Sequence, residues 1–370
     1  MRWCSAHSPA VRCLAVLVLL FACHYWYSTS DGAEPAEPAE HLNGRLVIFT
    51  ATPFFDVPIK NSILDECLPE IKNTCFVTSR RSLLPNASAV VFHSRDFYEY
   101  KMYQFAAHRN SAIPFVLMSL ESPFHADLHE YRNFFNWTMS YRTDSEVFHP
   151  YGSLVKRTTK KKVDFEKLWN SKKKEALWLV SNSQSTTNQR KELVEKLVEH
   201  GLEVDLLGKL YGREPPECSR ARSTKSCELE LHTPYKFYVA FENSNCKDYV
   251  TEKFWRKARN FGMVPIVMSR RIYRDLGIPD SMYISVDDFS SLDDFVSHVK
   301  RVSSNKTAYL EYHTWREDFR ILDANEQVIG FCDLCRKVAA FTGGPKKTYD
   351  NVMTWNSEAE CDNSFAQRYL

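Results

Sequence analysis

Short apolar runs alternate with amphipathic helical patterns along most of the chain, and this alternation constrains the fold more than any other feature of the sequence. The runs Leu46–Phe49, Ala89–Phe92 and Phe115–Leu120 lie in the first half. Leu177–Val180, Val204–Leu207, Phe237–Phe241, Val264–Met268 and Tyr283–Val286 follow in the second. Between them, Arg190–His200 sets Leu193, Val194, Leu197 and Val198 on one face and stops at Gly201. Tyr249–Phe261 reads as a second helix, with Asp248 as its N-cap and Gly262 just past its end. Leu292–Val302 is a third, its apolar residues at helical spacing. Strand–helix–strand repetition predicts parallel sheets flanked by helices, hence doubly wound α/β domains.

A length of 370 residues suits two such domains. The 48 Lys+Arg nearly balance the 46 Asp+Glu, which gives no reason to expect nucleic acid as a partner. With 44% hydrophobic residues the chain can build cores, so disorder is excluded as its main state. Glycine is sparse, and neither GxGxxG nor GxxxxGK[ST] occurs, so a glycine-lined phosphate loop is not expected.

The N-terminus carries the one membrane signal. Arg2 and Arg12 precede the uncharged run Cys13–Cys23, and Tyr25, Trp26 and Tyr27 follow it. This reads as a cytoplasmic tail over 1–10 and an N-inside anchor over 11–27, with the remainder in the lumen of the secretory path. The span is short, which suits thin early-secretory membranes. A cleaved signal peptide is the rival reading. Residues 28–43, with Pro35 and Pro38 in an acidic Ala/Glu/Pro run, read as a stem. Sequons at Asn86, Asn136 and Asn305 agree with a lumenal location. So do the cysteines after the stem, for which the local pairs Cys67–Cys75, Cys218–Cys227 and Cys332–Cys335 are plausible, although spacing fixes no connectivity. A zinc site at Cys332-x-x-Cys335 would need a second ligand pair, and none is near.

A basic stretch, Lys156–Lys174, holds nine Lys or Arg against Asp164 and Glu166. It reads as a solvated linker between a domain over 44–155 and another over 175–345, with 346–370 as a tail. A polyanion site is the alternative.

In open α/β sheets, ligands gather at the carboxyl ends of strands. Three polar clusters fall there. Glu121-Ser122-Pro123 follows an apolar strand, where partial desolvation would lift a carboxylate towards a general base's range; an ordinary loop acid is the alternative. Arg190 opens a helix after the polar loop Ser181–Gln189, an unfavourable place for a cation unless an anion sits against it. The third cluster runs from Tyr235 to Trp255, where Glu252 and Lys253 occupy the first turn of a helix. A helix N-terminus with a lysine attracts a diphosphate, and a glutamate beside it can accept hydrogen bonds from vicinal hydroxyls. Asp287-Asp288 and Asp293-Asp294 hint at a metal, but the second pair opens an amphipathic helix and reads as first-turn acids.

The stretch Tyr235–Trp255, with its FENS…DYVTEKFW core, resembles the signature of the α1,3-fucosyltransferases, glycosyltransferase family 10. Glu121-Ser-Pro with His125, Asn136-Trp-Thr-Met-Ser-Tyr-Arg, Val286-Asp-Asp-Phe and Phe331-Cys-x-x-Cys follow the family's order over about 45–340. The resemblance implies a GT-B fold: two Rossmann-like domains facing a cleft, with the acceptor side N-terminal and the GDP-fucose side C-terminal. It implies an inverting α1,3 transfer of fucose to a GlcNAc of a glycoprotein or glycolipid glycan. No metal would be required, a divalent ion being at most a stimulant. By motif position, Glu121 would be the base, Arg190 and Lys253 would hold the diphosphate, Glu252 would bind the ribose, and Asn243 and Tyr249 would line the donor site. A Golgi location as a single-pass type II protein is also implied. Ser269 in place of a usual Gly and Glu146 in place of a usual Asp depart from the family pattern. A catalytically silent carbohydrate-binding relative and an enzyme using another sugar nucleotide are the competing expectations.

Overall fold

A computed structural model describes residues 42, 44–97, 105, 109–126, 128, 131–181, 186–213, 218, 224–322, 328–344, 347–357 and 359–370. The expected cytoplasmic tail and anchor, and all of the expected stem but Leu42, lie outside these residues. No helix among the described residues is long and apolar enough to cross a membrane.

The apolar runs pair as parallel strands because helices and loops cover both faces of each sheet, so a strand can be apolar throughout. Leu46–Thr50 (β1), Cys75–Thr78 (β2), Ala87–His93 (β3), Phe115–Ser119 (β4), Trp137–Ser140 (β5) and Val147–Phe148 (β6) form one sheet in the order β2-β1-β3-β4-β5-β6. All its pairings are parallel. Ser153–Lys156 (β7) then leads towards a second sheet. This comprises Lys174–Leu179 (β8), Val204–Leu207 (β9), Tyr235–Val239 (β10), Val264–Val267 (β11) and Ile284–Ser285 (β12), in the order β12-β11-β10-β8-β9, again parallel. Phe319–Leu322 (β13) returns to pair antiparallel with β7. The doubly wound expectation is met twice over, and Arg45–Leu370 forms one compact unit.

Adjacent residues of a strand enter opposite cores. Ile48 of β1 joins Val91, Val116 and Met118 under Phe331 and Leu334, whereas Phe49 enters an aromatic layer with Phe92, Phe97, Tyr131 and Phe134. Each such fully buried side chain contributes about 1.5–3 kcal/mol. The second sheet repeats the pattern, with Trp178, Phe237, Val239 and Ile266 on one face and Leu177, Tyr238 and Val267 on the other.

This packing corrects two expected boundaries. The helix Val328–Ala339, expected with the second domain, lies on the first sheet through Phe331, Leu334 and Val338. The expected tail is also built in. Val352 and Trp355 cover the aromatic face of the first sheet, and Phe365 and Ala366 enter the core of the second.

The same helix overturns two of the three expected disulfides. The bonds are Cys67–Cys332, Cys75–Cys335, Cys218–Cys227 and Cys246–Cys361. Cys332 and Cys335 share a face of their helix and point at the segment carrying Cys67 and Cys75, so each bonds across 265 and 260 residues respectively rather than to its neighbour. The pair Cys218–Cys227 is as expected. Non-reducing peptide mapping should return these long-range links. Replacing Cys75 and Cys335 together by Ala should cost about 2–5 kcal/mol of unfolding free energy, read by thermal or denaturant unfolding.

Lys172, placed by sequence in a solvated linker, is instead buried, its Nζ donating to the carbonyls of Thr233 at 2.9 Å and Phe261 at 2.7 Å. Burial, helped by the charge of Arg316, lowers its pKa to about 7. Between that value and the ordinary 10.5 the unfolded chain binds the extra proton, so the contribution of Lys172 to stability rises with pH through this window. The unfolding free energy of the parent minus that of Lys172→Met is expected to grow between pH 7 and 10, measured by denaturant titration at each pH. A flat difference would mean that the amine keeps its ordinary value.

Among the sequons, Asn86 and Asn305 are exposed. Asn136 is not an open acceptor, because it is buried with its amide fully engaged. Its Oδ1 accepts from Arg109 Nη2 and the Phe115 N–H, and its Nδ2 donates to the Lys347 carbonyl and Thr348 Oγ1.

Candidate active site

The strand β10 ends at Val239, and the chain then runs through Phe241 and Glu242 into a loop that turns back to the helix Glu252–Phe261. Three ties hold this loop. The disulfide Cys246–Cys361 fixes its middle. Ser244 Oγ meets Ser122 Oγ of the first half at 2.9 Å. Asp248, at φ 64°, accepts at Oδ2 from the Thr143 N–H at 2.9 Å and Oγ1 at 2.7 Å. Asp248 is therefore not the helix N-cap that the sequence suggested. Thr251 takes that place, its hydroxyl accepting from the Lys253 N–H. Gly262 ends the helix in the left-handed conformation, as expected.

Glu242 organises the cluster. Its carboxylate accepts from the Thr251 N–H at 2.8 Å, from Thr251 Oγ1 and from Lys253 Nζ at 3.0 Å. Its carbonyl accepts from Asn188 Nδ2 at 2.9 Å. Next to it, the Phe241 carbonyl accepts from Arg190 Nη1 at 3.0 Å. Arg190 is 4% exposed at the start of helix Arg190–Glu199, behind Gln189 in the left-handed region at φ 51°.

Four charges thus share one corner: Arg190, Lys253, Glu242 and Glu252. Burial pushes Arg190 below its ordinary value. Burial also raises Glu242, outweighing the pull of Lys253. It would lower Lys253, but the carboxylates of Glu242 and Glu252 hold the ammonium above its usual range against the opposing charge of Arg190. Glu252 is opposed by burial yet kept below its ordinary value, chiefly by Lys253 at 3.5 Å. Its side chain is 40% exposed, so this carboxylate faces outward while that of Glu242 faces in.

The first sheet supplies Glu121, two residues past the end of β4, and Tyr249 Oη donates to its Oε2 at 3.4 Å. Burial, then the charge of Glu121, pushes the Tyr249 phenol far above its ordinary value, so it remains a donor. Tyr141 and Tyr151 pack against the Tyr249 ring. Half-buried Asn243 carries an Oδ1 that is shielded and has no hydrogen-bond partner among the described residues.

The structure therefore brings Arg190, Glu252 and Lys253 around Glu242, and Glu121 against Tyr249. Sequence reasoning gave no role to Glu242, Asn188 or Thr251. A threonine directly before Glu252-Lys253 was the available signal for the cap. Nothing short of the fold places Asn188 beside Glu242. Among the described residues no three His, Cys, Asp or Glu converge as metal ligands. Asp287 and Asp288 engage Arg270, and Asp294 sits at the start of the helix capped by Ser291. The two departures from the family pattern are absorbed locally. Ser269 sits in extended backbone, which needs no glycine. Glu146 accepts from the Thr138 N–H and from Lys347 Nζ.

Paired cations at the carboxyl end of one parallel sheet, with a carboxylate from the other sheet held against Tyr249 of the same loop, define an α/β architecture of the group-transfer kind. Residues 43–152 match the family model described as fucosyltransferase, N-terminal, and residues 169–355 the one described as glycosyltransferase family 10 (fucosyltransferase) C-term. The chain is 56% identical over 328 residues to alpha-(1,3)-fucosyltransferase fut-5 of Caenorhabditis elegans, spanning 88% of this chain and 86% of that one. It is 40% identical over 347 residues to alpha-(1,3)-fucosyltransferase fut-6 of the same organism, spanning 92% and 88%. A crystal structure of an alpha1,3-fucosyltransferase with GDP shares the fold, with a TM-score of 0.50 at 17% identity over 88% of this chain and 97% of that one. The chain belongs to glycosyltransferase family 10, the fucosyltransferases.

Proposed function

We propose that the chain transfers L-fucose from GDP-β-L-fucose, with inversion, in α1,3 linkage to a GlcNAc residue of a glycoprotein or glycolipid glycan. The observation that carries this reading is the convergence of Arg190 and Lys253 around Glu242, one short loop from the Glu121–Tyr249 contact. Glu121 takes the proton of the acceptor hydroxyl, whose oxygen forms the new bond to the anomeric carbon as the bond to the β-phosphate breaks. GDP departs with added negative charge. Arg190 and Lys253 stabilise that charge more in the transition state than in the ground state. Glu252, the outward-facing carboxylate, accepts from the ribose hydroxyls, and Asn243, whose shielded Oδ1 has no partner among the described residues, lines the donor site. The base belongs to one half of the molecule and the cations to the other, which suits attack from the face opposite the leaving group.

The proposal extends to the cell: a single-pass type II protein of the Golgi membrane, held by 11–27, with its catalytic part in the lumen. Four disulfides suit an oxidising compartment. Incubating the full chain with GDP-fucose and a panel of N-glycan core and antenna acceptors, then mapping the product linkage, tests the reaction. Fucosylated product in another linkage would overturn the α1,3 assignment. Tight GDP-fucose binding with no transfer to any acceptor would instead favour a silent relative.

A further inference from the structure

The basic stretch Lys156–Lys174 is largely solvent-exposed, with Lys172 its one buried residue. It also borders a cleft of about 810 Å3, together with the last turn of helix Glu252–Phe261 and the segment Trp315–Ile321. Seven of the lining side chains are cationic and one, Asp164, is acidic. That one carboxylate already caps a helix, accepting from the Lys167 N–H at 2.9 Å. Among the described residues, none of Arg157, Lys161, Lys162, Lys167, Arg316 and Arg320 has a carboxylate within 4.0 Å.

A second observation concerns the charges beneath the rim. Lys172 donates to two backbone carbonyls, and Arg316 donates to the Ala258 carbonyl and to His313 Nδ1. Buried cations are normally matched by carboxylates, and these two are matched only by dipoles. Burial has moved both in the direction that lacking a counter-charge dictates, Lys172 to about 7 and Arg316 to about 10. Half-buried Leu168 and Phe319 add apolar surface to the cleft, over the buried side chains of Phe261, Trp315 and Ile321.

We infer that this cleft binds a sulfated oligosaccharide, whose sulfates meet the rim cations while its sugar faces lie on the apolar lining. The volume falls within the range of about 300–1,000 Å3 usual for pockets that enclose small ligands. An inorganic anion would leave the apolar surface unused, and a bilayer surface would meet the exposed rim but not the depth. The cleft is separate from the cation cluster of the active site. Lys253 stands in the first turn of the helix Glu252–Phe261 and the cleft at its last, Arg259–Phe261, a rise of about 9–12 Å along the helix. The inference therefore does not rest on the fucosyl-transfer reading.

Calorimetry of the full chain with a heparin-derived hexasaccharide tests it. The parent should bind, and a variant carrying Lys161→Glu, Lys162→Glu and Arg320→Glu should bind roughly tenfold or more weakly, with unchanged GDP affinity. These three side chains are exposed, and the corresponding Gln triple should show the same loss in smaller measure. A control reversing Lys60, Arg81 and Lys300, which do not line the cleft, should bind as the parent does. Equal binding by parent and Lys161/Lys162/Arg320 variant, or an equal loss in the control, overturns the site. Inorganic sulfate competing as well as the hexasaccharide at matched ionic strength overturns the saccharide assignment. Binding of phosphatidylserine vesicles but not of the hexasaccharide would also overturn it, in favour of a membrane surface.

Discussion

Glu121→Gln is expected to slow fucosyl transfer by about 10²–10⁴-fold while leaving GDP affinity within a few-fold of the parent, because it removes the proposed base without touching the cations. Glutamine keeps the volume and still presents an oxygen to Tyr249 Oη, which now sits 3.4 Å from the carboxylate. Glu121 comes from the end of β4, while Arg190 and Lys253 are held through Phe241 and Glu242 after β10. Rate and donor affinity should therefore separate. Single-turnover kinetics measures the first and calorimetry with GDP the second. A parallel fall of both would assign Glu121 to the donor site and leave the reaction without a named base. A rate unchanged in the variant would move proton removal to another group.

The sequence exposed what depends on local order and hid what depends on chain return. Every strand of the second sheet was legible, because Leu177–Leu179 and Phe237–Val239 are uninterrupted apolar runs and Val204–Leu207 is broken only by Asp205, each between helix or turn signals. In the first sheet, Cys75–Thr78 and Trp137–Ser140 escaped notice because each is four residues long and includes polar residues. The helix Val328–Ala339 was unassigned. Its packing on the first sheet follows from a crossing near β7 and β13 that no periodicity announces. The disulfides failed for the same reason: a spacing rule favours neighbours, whereas Cys332 and Cys335 reach back over more than 250 residues. At the site, residues with an evident charge or motif were found, and the residue that joins them was not. Glu242 lies inside the block that carried the family resemblance, yet burial is what makes it the common partner of Thr251 and Lys253.

Lys253→Ala should lower kcat by about 10²–10³-fold and weaken both GDP and GDP-fucose, since a cation on the leaving diphosphate acts most strongly where charge is developing. The variant carries a second effect that must be separated from the first. Glu242 is 5% exposed and loses its ammonium partner, so the fold should also lose about 1–3 kcal/mol, less than a fully buried pair would cost because Lys253 is 25% exposed. Combining Glu242→Gln with Lys253→Met removes both charges together and lets the amide accept from the Thr251 N–H. Unfolding free energy should then return towards that of the parent, because no unpaired carboxylate remains. GDP affinity and transfer should stay low, because the diphosphate has lost its cation. A double variant that recovers stability, GDP binding and transfer alike would mean that Lys253 serves only to neutralise Glu242, and the diphosphate would have to rest on Arg190 alone.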